Sequence, residues 1–230
     1  MKKIGIIADL HANLHAIDAV LEDMPEVDRI ICAGDLVGYG PEPNEVLERI
    51  NEEKKIISVK GNHDQAVLDK NTSSFDKESA ETLKWTIEEL KKKNLNFLKN
   101  LPEKLTVNEE GYEIFTAHGT PRKPLKEPLF PGTSNRALVR MTLGTEADLI
   151  ILGHTHVPLD RRFQGKLIIN PGAVGQPRDR NPDASYMVLE LGTEKKITHK
   201  RVSYDIKETR QKMKDKGLPE KLAMRLQLGW

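Results

Sequence analysis

Apolar residues in this chain fall into short unbroken runs separated by charged stretches with helical spacing. The first run, Lys3-Ile4-Gly5-Ile6-Ile7-Ala8, reads as a buried strand ending in Asp9-Leu10-His11. Asn13 is placed to cap a helix reaching Asp23, with Leu14, Ile17 and Leu21 on one face and Ala16 and Val20 beside it. The second run, Asp28 to Ala33, ends in Gly34-Asp35-Leu36-Val37-Gly38. After the loop 39–43, Asn44 is placed to cap a helix carrying Val46, Leu47 and Ile50. The third run, Lys55 to Lys60, ends in Gly61-Asn62-His63-Asp64. This βαβαβ order predicts a parallel sheet with right-handed crossovers.

Residues 65–103 are highly charged, and Ala80, Leu83, Ile87 and Leu90 recur at helical spacing. They predict a helical excursion with too little apolar surface for a core of its own. Leu105–Asn108 and Tyr112–Ala117 flank a Glu-Glu-Gly turn and predict a hairpin whose second strand ends in His118-Gly119. A Pro-rich loop over 120–133 carries Arg122, Lys123 and Lys126, and Ser134 is placed to cap a helix through Leu143. Asp148–Leu152 predicts a strand running into Gly153-His154-Thr155-His156. Three more strands are expected: Lys166–Ile169, which ends in Asn170-Pro171-Gly172, then Ser185–Glu190 and Lys196–Val202. Asp205 to Leu228 is polar and helical, broken at Gly217-Leu218-Pro219. The expected organisation is one domain over 1–204, with the excursion inside it, and a C-terminal helical tail over 205–230. The tail would pack on the body or mediate association, a homo-oligomer included.

Composition narrows the partners. The 36 basic and 35 acidic residues leave a net charge of +1, and aromatics are 5% of the chain. That balance supplies no general field for nucleic acid or membrane. A nucleic-acid module is therefore disfavoured, although a nuclease activity stays within the leading class below. Cys32, the one cysteine, lies in an apolar run, which excludes an internal disulfide and any multi-cysteine zinc site. The basic start Met1-Lys2-Lys3 is followed too soon by Asp9 and His11 to make a signal peptide. No apolar run reaches membrane-spanning length. A cytoplasmic protein with no membrane partner is expected.

Chemistry collects where the strands end. Five runs finish in potential ligands: Asp9 and His11, Asp35, Asn62 and His63, His118, and His154 and His156. Functional groups of open α/β sheets gather beyond the carboxyl ends of the strands. Each motif alone has an ordinary reading as a turn former, helix cap or packed histidine. Five of the seven histidines at strand ends point instead to one shared site. Imidazole, carboxylate and amide oxygen without thiolate select manganese, iron, zinc, cobalt or nickel over a structural zinc or calcium site. Seven candidates (Asp9, His11, Asp35, Asn62, His118, His154 and His156) are too many for one ion. They suffice for two if a carboxylate bridges, and the residual positive charge would suit a phosphate.

In this order, Asp9-x-His11, Gly34-Asp35-x-x-Gly38, Gly61-Asn62-His63-Asp64, His118-Gly119 and Gly153-His154-x-His156 resemble the calcineurin-like metallophosphoesterase superfamily. The resemblance runs from residue 3 to about 190. Gly34 to Pro41 and Asn170 to Arg178 look like its small prokaryotic phosphodiesterase branch, which includes YfcE-like proteins. The resemblance implies a four-layer α/β/β/α sandwich. It also implies that Asp9, His11 and His156 hold one divalent ion, manganese by preference, and that Asn62, His118 and His154 hold a second. Asp35 would bridge them. His63 would sit over the phosphate and assist the leaving oxygen, with Asp64 orienting it. A hydroxide bridging the metals would attack a phosphodiester of a small phosphorylated substrate. A phosphomonoesterase or nucleotide pyrophosphatase on the same site is the second reading, and a non-catalytic interaction scaffold the third. Protein phosphatases and symmetrical dinucleoside tetraphosphatases of this superfamily carry Asp-Arg-Gly where this chain has Gly38-Tyr39-Gly40, which argues against both activities. Asn13, Arg122 and Arg178 are the candidates to grip substrate instead. Against them stand a helix cap for Asn13, a solvated loop charge for Arg122 and an ion pair with Asp179 for Arg178.

Overall fold

The central apolar runs become strands buried on both faces, and those at Leu105–Asn108 and Lys196–Val202 become half-exposed edge strands. In the computed structural model, which describes residues 1–230, β1 (Lys2–Ile7), β2 (Arg29–Cys32) and β3 (Ile56–Ser58) are parallel. They are joined through α1 (Leu14–Asp23) and α2 (Pro43–Glu52). The antiparallel strands β9 (Ala184–Leu191) and β10 (Lys195–Val202) extend this sheet in the order β10-β9-β1-β2-β3. The second sheet runs β4-β5-β6-β8-β7, from β4 (Lys104–Glu109), β5 (Tyr112–Ala117), β6 (Leu149–Ile151), β7 (Leu159–Phe163) and β8 (Lys166–Asn170).

Alternation along each strand sorts side chains into layers. Ile4, Ile6, Ile31, Ala33 and Leu189 meet Ile114, Leu149, Ile151, Leu167 and Ile169 in the core between the sheets. Ile7, Ile30, Cys32, Tyr186 and Val188 face the other way, onto α1, α2 and the insertion helices. Ile150 and Ile168 face the opposite surface, where Leu138 of α6 (Asn135–Met141) covers them. The result is the four-layer α/β/β/α sandwich. Trimming one fully buried isoleucine such as Ile31 to alanine should cost about 2–5 kcal/mol, because the two packed sheets cannot close over the gap.

The insertion forms α3 (Asn62–Asp69), α4 (Lys77–Glu89) and α5 (Lys92–Asn100). The tail forms α7 (Ile206–Asp215) and α8 (Glu220–Leu228), which pack on the body. No helix is long and apolar enough to cross a membrane.

Two local expectations need correction. Asn44 does not cap α2, because Pro43 takes the first turn and Asn44 lies inside it. Its amide instead donates to the Glu89 carbonyl and accepts from the Lys91 backbone N–H, tying α2 to the insertion. The helix after Ser134 stops at Met141, two residues early. β7 is an addition: Leu159-Asp160-Arg161-Arg162-Phe163 is an edge strand with Asp160 and Arg162 in solvent and Arg161 turned onto the Thr133 carbonyl and Asn135.

Candidate metal centre

The carboxyl ends of β1, β2, β5 and β6 converge at one edge of the sandwich. Backbone bonds stitch the loops together there: Asp9 N–H donates to the Gly34 carbonyl at 2.9 Å and Gly153 N–H to the His118 carbonyl at 2.9 Å. The backbone bends sharply at these points. Asp9, His11, Asp35, His154 and His156 all have φ between 46° and 72°, a left-handed conformation that side-chain-bearing residues rarely hold. Strain of this kind persists where surrounding structure enforces it, and it clusters at functional sites.

All seven candidate ligands come together. Asp9 Oδ1 lies 3.4 Å from His156 Nε2 and 3.9 Å from His11 Nε2. Asp35 Oδ2 lies 3.1 Å from His118 Nε2 and 3.7 Å from His11 Nε2, between the two groups. His118 Nε2 lies 3.0 Å from Asn62 Oδ1 and 3.2 Å from His154 Nδ1. Asp9, His11, Asp35 and His118 are essentially inaccessible to solvent.

The tautomers identify what this arrangement is built to hold. A carbonyl oxygen can only accept, so each Nδ1 facing one carries the proton. His11 Nδ1 donates to the Val37 carbonyl, His118 Nδ1 to that of Ala33, and His156 Nδ1 to that of Gln176. In the neutral rings of His11 and His156 this leaves Nε2 as a lone pair. Yet His11 Nε2 and His156 Nε2 face each other at 3.1 Å, while burial drives both imidazoles well below their usual pKa and keeps them neutral. Burial would lower His118 too, but the Asp35 and Asp9 carboxylates overcome it and raise this imidazole to about 9. One proton on His118 cannot serve Asp35, Asn62 and His154 together. A cation can, and the oxygen-and-imidazole donor set fits a divalent transition metal. Orienting each imidazole through a second-layer carbonyl is how metal sites fix their ligands.

His63 lines the adjoining cavity, its ring 4.8 Å from that of His11 and 4.6 Å from that of Tyr39. Its Nδ1 is buried against Gly38 without a partner, which leaves Nε2 as the nitrogen open to the cavity. Burial lowers this imidazole to about 4. Asp64 does not orient it. The Asp64 carboxylate accepts from the backbone N–H groups of Leu36, Val37 and Gly61, clamping the loop that carries Asp35. Burial raises Asp64 to about 6.

The cavity, about 690 Å³, is lined by Asp35, His154 and His156 together with His63, Phe75, Leu125 and Lys126. Arg178 lines it; the expected rival partner, Asp179, is taken by Arg201. The other two substrate candidates do not reach it. Asn13 caps α1 at Ala16 N–H and donates to the Gly175 carbonyl and Tyr204, which uses its amide fully. Arg122 is held by Glu127 on the Pro-rich loop. His15 bonds Thr209 and His199 bonds Ser185, both outside the site.

Sequence reasoning missed Asn170 and Tyr39. Asn170 donates to the Gly153 carbonyl and to Thr155, fixing the loop that bears His154 and His156. Its position at the end of a strand was the available signal. Tyr39 packs against both His11 and His63.

Comparisons with known proteins agree with this geometry. Residues 1–194 match the family described as the calcineurin-like phosphoesterase superfamily domain. MJ0912 of Methanocaldococcus jannaschii is 38% identical, with 98% of each chain covered. Phosphodiesterase YfcE of Escherichia coli K12 is 27% identical over 83% of this chain and 88% of its own. A crystal structure of a metallophosphoesterase from Sphaerobacter thermophilus superposes with a TM-score of 0.87 at 36% identity, covering 100% of this chain and 99% of that one.

Proposed function

The chain belongs to the calcineurin-like phosphoesterase superfamily and is a metal-dependent phosphoesterase; from that premise we propose that it hydrolyses phosphodiesters with two divalent ions, manganese by preference. Asp9, His11 and His156 would hold one ion, Asn62, His118 and His154 the other, and Asp35 both. The observation that carries the reading is the convergence of buried lone pairs, with His11 and His156 face to face at 3.1 Å. Bound divalent ions supply phosphoryl polarisation and an activated water.

The protein's own groups do the rest. Arg178 binds a non-bridging phosphoryl oxygen through its guanidinium, which has no carboxylate partner to neutralise it. His63 is neutral near pH 7, since burial holds it at about 4, so in the free site it offers an Nε2–H hydrogen bond rather than a standing acidic proton. An anionic phosphate beside it favours the protonated ring, and Nε2 is then the atom that passes a proton to the departing oxygen. Asp64 keeps Asp35 in place through the loop backbone. Phe75 and Leu125 in the same cavity would seat an organic group of the ester, and the similarity to phosphodiesterase YfcE favours a diester.

The test is a metal-by-substrate screen on purified protein, comparing bis(4-nitrophenyl) phosphate with 4-nitrophenyl phosphate and including cyclic nucleotides and dinucleoside polyphosphates. Manganese-dependent turnover with the diester preferred is expected. Preference for the monoester would contradict the proposal.

A further inference from the structure

The matched family region ends at residue 194, yet the helices beyond it reach back to the site. Tyr39, from the Gly38-Tyr39-Gly40 segment, is only 6% exposed. The apolar cluster that buries it is supplied by the tail: Met213, Leu218, Leu222, Ala223 and Leu226. Polar ties also hold the tail in place, among them Lys221 with Glu78 and Thr209 with His15. Lys212 pairs with Glu42, three residues past Tyr39, at 2.6 Å, and Arg180 N–H donates to the Gly229 carbonyl at 2.8 Å.

The other end of Tyr39 faces Arg178. An Arg178 guanidinium nitrogen donates to Tyr39 Oη at 3.1 Å and to Gln176 Oε1 at 2.9 Å, and the guanidinium carbon lies 5.5 Å from the centre of the Tyr39 ring. All these partners are neutral, so they orient the cation without cancelling its charge. Ser79 Oγ lies 3.3 Å from Tyr39 Oη and 2.9 Å from Asp76 Oδ2. Its single proton goes to the nearer, charged oxygen, which leaves the Tyr39 hydroxyl to donate to Ser79. The donors then run in one direction, from Arg178 through Tyr39 and Ser79 to Asp76, and no proton competes for the face of Tyr39 that receives Arg178.

We propose that Tyr39, seated in the C-terminal helix pair, is the positioning residue that aims Arg178 at the substrate phosphate, so that the tail completes the substrate site. The proposal rests on Arg178 being the phosphate-gripping residue. It gives the 205–230 segment a function within its own chain.

Inorganic phosphate binding to the manganese-loaded, full-length protein, measured by calorimetry, tests it without relying on turnover. Arg178→Ala should weaken phosphate binding. Tyr39→Phe keeps the ring and its apolar seat but removes one hydrogen bond from the guanidinium. It should weaken phosphate roughly tenfold with manganese content unchanged, and in turnover the loss should fall on KM. Leu222→Ala should act in the same direction by a smaller factor. In the Arg178→Ala background, Tyr39→Phe should have no further effect. Unchanged phosphate affinity in Tyr39→Phe, or full additivity of the two changes, would overturn the proposal while leaving Arg178 as the grip. An Arg178→Ala protein that binds phosphate as well as the parent would overturn the parent reading and this proposal together. Protein that turns over no diester yet shows the predicted phosphate losses would sink only the activity.

Discussion

Placing an alanine at Gly38 isolates the contribution of His63. Gly38 has φ +92°, and a Cβ there would lie 2.5 Å from His63 Nδ1 and 3.2 Å from its Cγ. Gly111, in the β4–β5 turn, has φ +80° with nothing within 4 Å. Both substitutions force an L-residue into the left-handed region at a cost of roughly 1–2 kcal/mol. For a chain of this length that is roughly 2–8 °C in Tm. Only the Gly38 change also moves a side chain. Ordinary contacts begin near 3.4 Å, so the imidazole must recede by about 1 Å. A displacement of that size at a reacting group costs about 100-fold in rate. Gly38→Ala should therefore lose about two orders of magnitude in diester turnover and, with an overpacking cost of about 1–3 kcal/mol at buried His63, melt below Gly111→Ala, which keeps the parent rate. The assay is aryl diester hydrolysis in manganese alongside thermal melting and metal content. Equal turnover in the two variants would refute the placement of His63 over the reacting phosphate.

Two further outcomes are expected. His63→Ala should retain its metal by mass spectrometry but lose most turnover; parallel loss of metal would show that His63 is a ligand. Glu48 accepts from Lys93, Asn94 and Lys91, and these bonds lower its carboxyl from the ordinary 4.5 to about 2. A carboxyl depressed in the folded state stabilises it fully above the unfolded pKa and loses that effect as pH falls through the folded one. Glu48→Gln should therefore melt below the parent at pH 7, with the gap closing between pH 4.5 and 2. A gap that stays constant over that window would contradict the linkage.

The strand-end ligands were legible because two signals coincide in them: an apolar run fixes where a strand stops, and a ligating side chain follows at once. The parallel βαβαβ half followed from the same runs, whereas the four layers were expected only from the family resemblance. What escaped the sequence depends on contacts between distant segments. Asp64 stands beside His63 in the chain, yet helix geometry turns its carboxylate onto the loop of Asp35. Asn13 looked equally suited to a cap or to substrate until Gly175 and Tyr204, far along the chain, took its amide. Tyr39 carried no signal of its own, because its role depends on helices more than 160 residues away. β7 was hidden by three consecutive charges, Asp160-Arg161-Arg162, which an edge strand tolerates and a central strand does not.

In the proposed reading, the facing lone pairs of this site hold two divalent ions with Asp35 between them. Metal per chain, measured by mass spectrometry after chelation, reloading with manganese and removal of excess, tests it most directly. Two equivalents are expected in the parent protein and depletion of both in Asp35→Asn. A single equivalent in the parent, or two fully retained in Asp35→Asn, would contradict it.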